Sequence, residues 1–300
     1  MLKDIKDLAI IGFDFDMGAG VRGTRLGPEA MRIAGLAKGL EDLGYKLEDL
    51  GDLGLYNGYN DDFSHDLMKN YDRVLEATER LYQALNEIED ALPIVLGGDH
   101  SLVLASMKAA LENYENPGII YFDAHADINT TSTSPSGNIH GMPLSMLMGL
   151  GDENFAELCG NDKRLKAENI VFIGVSDLDE GEIEFLKDNN IRTYSIDKVH
   201  DMGIGAVCRE AASYLNERCD GVHVSFDVDV MDPAYAKGTG INLPGGLTYR
   251  EARLAMREME NLNKLTSVDM VEVNPLTDKY NSTAKMADEL LYTLLGKRTY

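Results

Sequence analysis

The stretch Gly118–Asn129, GIIYFDAHADIN, decides the fold. Its first half is an uninterrupted apolar run, as in a strand buried on both faces. Its second half carries Asp123, His125 and Asp127. Side chains of an extended chain alternate faces, so these three can point the same way. In open parallel α/β sheets, ligands bind beyond the carboxyl ends of the strands, where such a cluster would lie.

The same pattern recurs along the chain. Leu92–Leu96 runs into Gly97-Gly98-Asp99-His100-Ser101, and Gly221–Asp227 runs into Ser225-Phe226-Asp227-Val228-Asp229, with Asp232-Pro233 behind it. Leu265–Glu272 closes on Glu272 before Asn274-Pro275. Apolar runs at Asp7–Phe13, Asn169–Gly174 and Ile191–Ser195 also read as strands. Pro28 opens a helix to about Leu40, since proline suits a first helical turn. Leu67, Tyr71, Val74, Thr78, Leu81, Leu85 and Ile88 recur at spacings of three and four, which predicts a long amphipathic helix. Further helices are expected near 101–114, 179–189, 203–217, 248–260 and 283–295. Strands alternating with helices imply an α/β protein, a parallel sheet covered on both faces. The irregular stretch 128–141, rich in Thr, Ser, Gly and Asn, is long for a compact domain and so reads as functional. With no internal repeat and no linker, residues 1–300 read as one domain.

Composition agrees. With 300 residues, 44% of them hydrophobic and 26% charged, the chain can bury a large core, and collagen, coiled coil and low-complexity disorder are excluded. No apolar run approaches the roughly 20 residues of a membrane span. The start, MLKDIKDLAIIGF, lacks the longer apolar region and cleavage site of a signal peptide, which predicts a cytoplasmic protein. Asp and Glu number 51 against 28 Lys and Arg, a net charge of −23. That balance argues against nucleic acid or an anionic membrane as partner and suits a cationic ligand, although most of it reads as solvated surface. Cys159, Cys208 and Cys219 form no CxxC pair and are expected to be buried free thiols.

Four strands thus deliver His100, Asp123, His125, Asp127, Asp227, Asp229 and Glu272 to one sheet edge. Alone, each DxD pattern is an ordinary cap or turn, and a lone histidine is a satisfied core or surface group. Together, so many ionisable groups would repel one another and lose hydration unless divalent metal neutralised them. Two imidazoles and four carboxylates exceed the needs of one ion and suit two, about 3.5–4 Å apart. Carboxylate-rich ligation with some imidazole points to Mn²⁺, and the lack of cysteine argues against a thiolate zinc site. Gly18–Gly23 fits GxGxxG, but Asp14–Met17 separate it from the strand and Pro28 delays the helix, so it does not read as a dinucleotide loop.

GGDHS, DAHADIN and SFDVDVMDP, with SPSGNIHGMPLS (134–145), SDLDEGE (176–182), GGLTYRE (245–251) and VEVNP (271–275), resemble the ureohydrolase family over nearly the whole chain, and within it the bacterial arginases. The resemblance implies a single three-layer α/β/α domain with a mostly parallel sheet of about eight strands, assembled as a homo-trimer or homo-hexamer. It implies two Mn²⁺ per subunit, one held by His100, Asp123, Asp127 and Asp227, the other by His125, Asp123, Asp227 and Asp229. A hydroxide bridging the ions would attack the guanidinium carbon of L-arginine, giving L-ornithine and urea. Glu272 would hold the guanidinium, Asp127 would handle the proton of the nucleophile, and His140 would shuttle protons. Asn129, Ser136 and Asn138 would bind the α-carboxylate, and Asp179 would face the α-amino group. Asp179 also reads as a helix cap.

The chain departs from the family pattern at Gly240-Ile241-Asn242, where Gly-Thr-Pro is usual, so a hydroxyl near the guanidinium is lost. Lys237 stands where Pro is usual, Ser176 replaces an Arg, and Val230-Met231 replaces a Gly/Ala-Leu pair. These changes keep open a ureohydrolase acting on agmatine or a guanidino acid. A non-catalytic, metal-stabilised oligomer is the alternative of another class, opposed by the full ligand set with His140 and Glu272. A binuclear phosphatase would need phosphate-binding Arg or Lys, of which the motifs offer only Lys237.

Overall fold

The computed structural model describes residues 5–55, 58 and 60–299. Eight strands, β1 (Asp7–Phe13), β2 (Lys46–Asp52), β3 (Leu92–Gly97), β4 (Gly118–Phe122), β5 (Ile170–Val175), β6 (Arg192–Ser195), β7 (Val222–Asp227) and β8 (Leu265–Val271), form one sheet in the order β2-β1-β3-β8-β7-β4-β5-β6. Every pairing is parallel, so the expected sheet stands in its all-parallel form. The central four, β3-β8-β7-β4, are the strands whose sequences run into GGDHS, Glu272, SFDVDV and DAHAD. Chain order reverses around them, which opens the crevice where α/β sheets bind ligands.

Alternation along the strands divides the core. Leu8, Ile10, Ile120, Phe122, Val224 and Phe226 face one way, and Ile11, Phe13, Ile119, Tyr121 and Phe172 the other. The first face is covered by α1 (Gly27–Ala34), α2 (Leu36–Asp42), α8 (Ile196–Met202), α9 (Ile204–Asn216), α10 (Tyr249–Glu258) and α11 (Ser282–Leu294). The second is covered by α3 (Tyr71–Asn86), α4 (Val103–Asn113), α5 (Pro143–Leu147), α6 (Glu153–Ala156) and α7 (Glu180–Asp188). The domain therefore has three layers. No helix among the described residues is long and apolar enough to cross a membrane.

The differences from the sequence reading have local causes. The helix expected over 28–40 breaks into α1 and α2 at Gly35, whose φ of 111° ends the first. The helix expected from Leu67 begins only at Tyr71, after Asn70 in the left-handed region. Strand β2 was not foreseen, because KLEDLGD lies on the sheet edge, largely exposed, and has no apolar run. Gly18–Gly23 is a loop ahead of the helices, and the Gly18 amide donates to Asp99. Of the three free thiols only Cys208 is buried; Cys159 is exposed and Cys219 half-buried. Cys159 sits in a short turn with φ 52°, outside the core.

One core group works against stability. Asp288 on α11 is 2% exposed, and neither carboxylate oxygen has a hydrogen-bond partner among the described residues. Burial, then the charge of Glu289, pushes its pKa up to about 8. The folded protein therefore keeps a proton that the unfolded chain has lost above roughly pH 4, and stability falls as pH rises from there to about 8. Asp288→Ala is expected to raise the unfolding free energy by about 1–3 kcal/mol, with a larger gain at pH 8 than at pH 5. Denaturant titration at both values checks this, and no gain at pH 8 would show that the carboxyl is satisfied.

Candidate metal centre and active site

The four central strands bring the acidic cluster together at their carboxyl ends. His100 follows β3 in a short turn whose cap, Asp99, accepts from the Ser101 amide. Gly98 is required there, because a Cβ would lie 2.4 Å from the Phe15 carbonyl oxygen and 2.5 Å from that of Phe13. Asp123, His125 and Asp127 follow β4. Asp227 ends β7, and its side chain accepts from the Asp229 amide at 2.7 Å. Asp127 and Glu272 both have left-handed backbones, with φ of 50° and 61°, a conformation that costs energy for residues other than glycine. The Glu272 turn is held by its amide, which donates to the Gly98 carbonyl, and by its carboxylate, which accepts from the His100 amide.

Two triads share Asp123: His100, Asp123 and Asp227, and Asp123, His125 and Asp229. His100 Nδ1 lies 2.9 Å from Asp123 Oδ2 and 3.3 Å from Oδ2 of both Asp127 and Asp227. His125 Nδ1 lies 3.0 Å from Asp229 Oδ2 and 3.3 Å from Asp123 Oδ1. His100 Nδ1 and Asp123 Oδ2 are fully buried, yet neither makes a hydrogen bond among the described residues. Buried polar atoms that aim at a common point without bonding each other fit a cation as the shared partner. The other nitrogen, His100 Nε2, is bonded to Ser225 Oγ at 2.8 Å, and the ring stacks on Tyr121 at 4.3 Å. Nδ1 is thus held toward the carboxylates, as outer groups commonly orient a ligand histidine. The Tyr121 hydroxyl donates to Asp127 Oδ2 at 2.7 Å.

The electrostatics follow from crowding. Burial, then the charges of Asp229 and Asp127, pushes the Asp123 carboxyl up to about 6. Burial, Asp229 and Asp123 drive Asp227 well above the ordinary range. Burial disfavours the charged forms of His100 and His125, but the facing carboxylates prevail and lift both imidazoles. Asp127 is lowered, because the histidines around it outweigh its burial. Divalent cations would relieve this repulsion.

Above the cluster lies a cavity of about 330 Å³, lined by His125, Asp127, Asp227, Asp229, Glu272, His140, Asn129, Ser136, Asn138 and Asp179. His100 and Asp123 lie beneath it, fully buried. All twelve residues singled out in the sequence therefore converge on one place. His140 Nδ1 is 3.3 Å from Glu272 Oε1. Burial opposes protonation of His140, but Glu272 wins and raises its pKa to about 9. Asn129 Nδ2 donates to Asp179 Oδ2 at 2.8 Å, and Asn129 Oδ1 accepts from Thr133. Ser136 Oγ accepts from the Asn138 amide. Asp179 caps α7 and also lines the cavity.

Glu182 was missed. It is buried, lines the cavity, and accepts from the amides of Ile128 and Asp179. Burial and Asp127 raise its pKa to about 7. Its signal was the capping box Asp179-x-x-Glu182. Tyr121 and Ser225 were also readable, each two residues before a cluster carboxylate on the same strand face.

The sequence model of the arginase family matches residues 6–296. An arginase of Bacillus subtilis (strain 168) is 42% identical over 297 residues, covering 98% of this chain and 99% of its own. The solved arginase of Bacillus caldovelox is similar in structure, with TM-score 0.95 and 41% identity over 99% of this chain and 100% of that one. A proclavaminate amidino hydrolase of Streptomyces clavuligerus is 27% identical with TM-score 0.76, covering 97% and 91%.

The Ser225 contact can be tested directly. Ser225→Ala is expected to weaken divalent-metal binding, with Mn²⁺ as the probe, about tenfold by freeing the His100 ring, and Asp229→Ala to weaken it far more. Metal titration by calorimetry reads both. Equal affinity in Ser225→Ala and the unaltered protein would show that this bond does not hold the ligand.

Proposed function

This chain belongs to the arginase family, and from that premise we propose that it hydrolyses the guanidinium group of L-arginine to L-ornithine and urea. The observation that carries the reading is the pair of His/Asp triads sharing Asp123 beneath a cavity with Glu272 in its wall. The unbonded, buried His100 Nδ1 and Asp123 Oδ2 support a metal centre, and the carboxylate-rich donor set suits Mn²⁺. His100, Asp123, Asp127 and Asp227 would hold one ion, and His125, Asp123, Asp227 and Asp229 a second. Such ions supply Lewis-acid activation of water at neutral pH.

The protein groups do the rest. Glu272 pairs with the guanidinium through a charge-assisted contact and fixes its carbon over the cluster. Water adds to that carbon, and Asp127, steadied by the Tyr121 hydroxyl, takes up a proton. The bond from the carbon to the substrate's chain nitrogen then breaks. His140, at hydrogen-bond reach of Glu272, returns a proton to the leaving amine. Asn129 gives one N–H to Asp179 and keeps its second for the α-carboxylate. Ser136 and Asn138 complete that subsite, while Asp179 meets the α-amino group. By the same family resemblance the protein works as a trimer or hexamer.

Colorimetric urea release tests the substrate. The enzyme is stripped with chelator, reloaded with Mn²⁺ and given L-arginine, agmatine or guanidinobutyrate. Urea from arginine alone is expected. Urea from a guanidine lacking the α-amino or α-carboxylate group would overturn the subsite formed by Asn129, Ser136, Asn138 and Asp179.

The pH profile tests the proton donor. With a pKa raised to about 9, His140 stays charged from neutral pH up to that value. kcat is therefore expected to fall above about pH 9. His140→Asn is expected to lower kcat roughly a hundredfold and to flatten that alkaline limb. A limb that persists in the variant would assign the donor elsewhere.

A further inference from the structure

Carboxylates dominate the cavity wall, yet Val21 and Ile241 also line it. Both are exposed, at 41% and 39%. Single exposed aliphatic residues are ordinary, but these two come from loops far apart in sequence and border one opening. Val21 lies between β1 and α1, and Ile241 between β7 and α10. Gly240 joins them to the site: a methyl on its Cα would lie 3.6 Å from Val21 Cβ and 3.7 Å from Glu272 Oε2. Val21 thus lies across Gly240 from the carboxylate that takes the guanidinium, and Ile241, the next residue, borders the same cavity. The neighbouring cation does not compete for this space. Arg22 donates to the Ala19 carbonyl and pairs with Asp61.

We propose that Val21 and Ile241 form an apolar lip that grips the methylene stem next to the guanidinium, selecting alkyl guanidines over those with a polar atom at that position. The proposal rests on the guanidine-hydrolase reading above. A methylene enclosed there leaves water favourably. An oxygen in its place loses that gain and finds no hydrogen-bond donor on a valine or isoleucine side chain.

The test compares L-arginine with its guanidinooxy analogue, which has oxygen in place of the methylene beside the guanidine, on the Mn²⁺-loaded enzyme. Val21→Ser, Ile241→Ser and the double variant are measured beside the unaltered protein. The ratio of kcat/KM for arginine to that for the analogue is expected to fall about tenfold in the double variant, mostly through a higher KM for arginine. Val21→Ile and Ile241→Leu, which keep the lip apolar, are expected to preserve the ratio. An unchanged ratio in the double variant, or equal losses on both substrates, overturns the lip. No urea from arginine with the unaltered protein overturns the arginase reading itself, and the lip with it.

Discussion

Mutual repulsion among carboxylates is the constraint on which the site depends. Asp123, Asp127, Asp227 and Asp229 are all nearly or fully buried, and at such separations like charges without water cost several kcal/mol. The fold supplies two imidazoles, a tyrosine hydroxyl and backbone amides, and these are not enough. The carboxyls of Asp123 and Asp227 remain displaced toward their protonated forms. A chain with no use for cations gains nothing from such an arrangement. The sheet's order follows from the same demand. Only adjacent strands can bring side chains from sequence positions 100, 123, 227 and 272 within a few ångströms, and β3-β8-β7-β4 are adjacent.

Precision at the site comes from strained backbone held by ordinary structure. Asp127 and Glu272 take left-handed conformations beyond the ends of β4 and β8. Each turn is fastened nearby: Glu272 by the Gly98 carbonyl and the His100 amide, Asp127 by Tyr121 and by its own carbonyl, which accepts from the Leu144 amide. The strain is thus offset by hydrogen bonds that also set the direction of the side chains.

Most of the site was legible because buried parallel strands leave a plain record. An apolar run followed by a charged motif states both where a strand ends and what it presents. The four signals needed only one inference, that they lie at the same edge. What escaped had weaker local marks. β2 has too few apolar residues for a periodicity to show, since an edge strand in solvent needs few. The only mark of Glu182 in the sequence is its capping-box spacing from Asp179. Cys159 was expected inside because thiols usually are, yet a tight turn holds it at the surface. The buried, unpaired Asp288 has no sequence signature, because one polar residue among apolar helix positions looks the same whether or not it finds a partner.

Charge and selectivity belong to different parts of the cavity. A net charge of −23 and a wall of carboxylates attract any cation, so they raise the rate of encounter without choosing among partners. A lysine side chain or an alkali ion is drawn in as readily as a guanidinium. Choice requires groups whose cost differs between right and wrong ligands. Neutral donors and acceptors such as Asn129, Ser136 and Asn138 can do so, because they leave unpaired bonds when the ligand lacks a carboxylate. An apolar margin at Val21 and Ile241 can do so for the stem, where charge is blind. The departure at position 241 falls on this margin, and those at 237 and 242 likewise spare the metal cluster. Variation at the mouth can then retune what is admitted while the chemistry beneath it stays fixed.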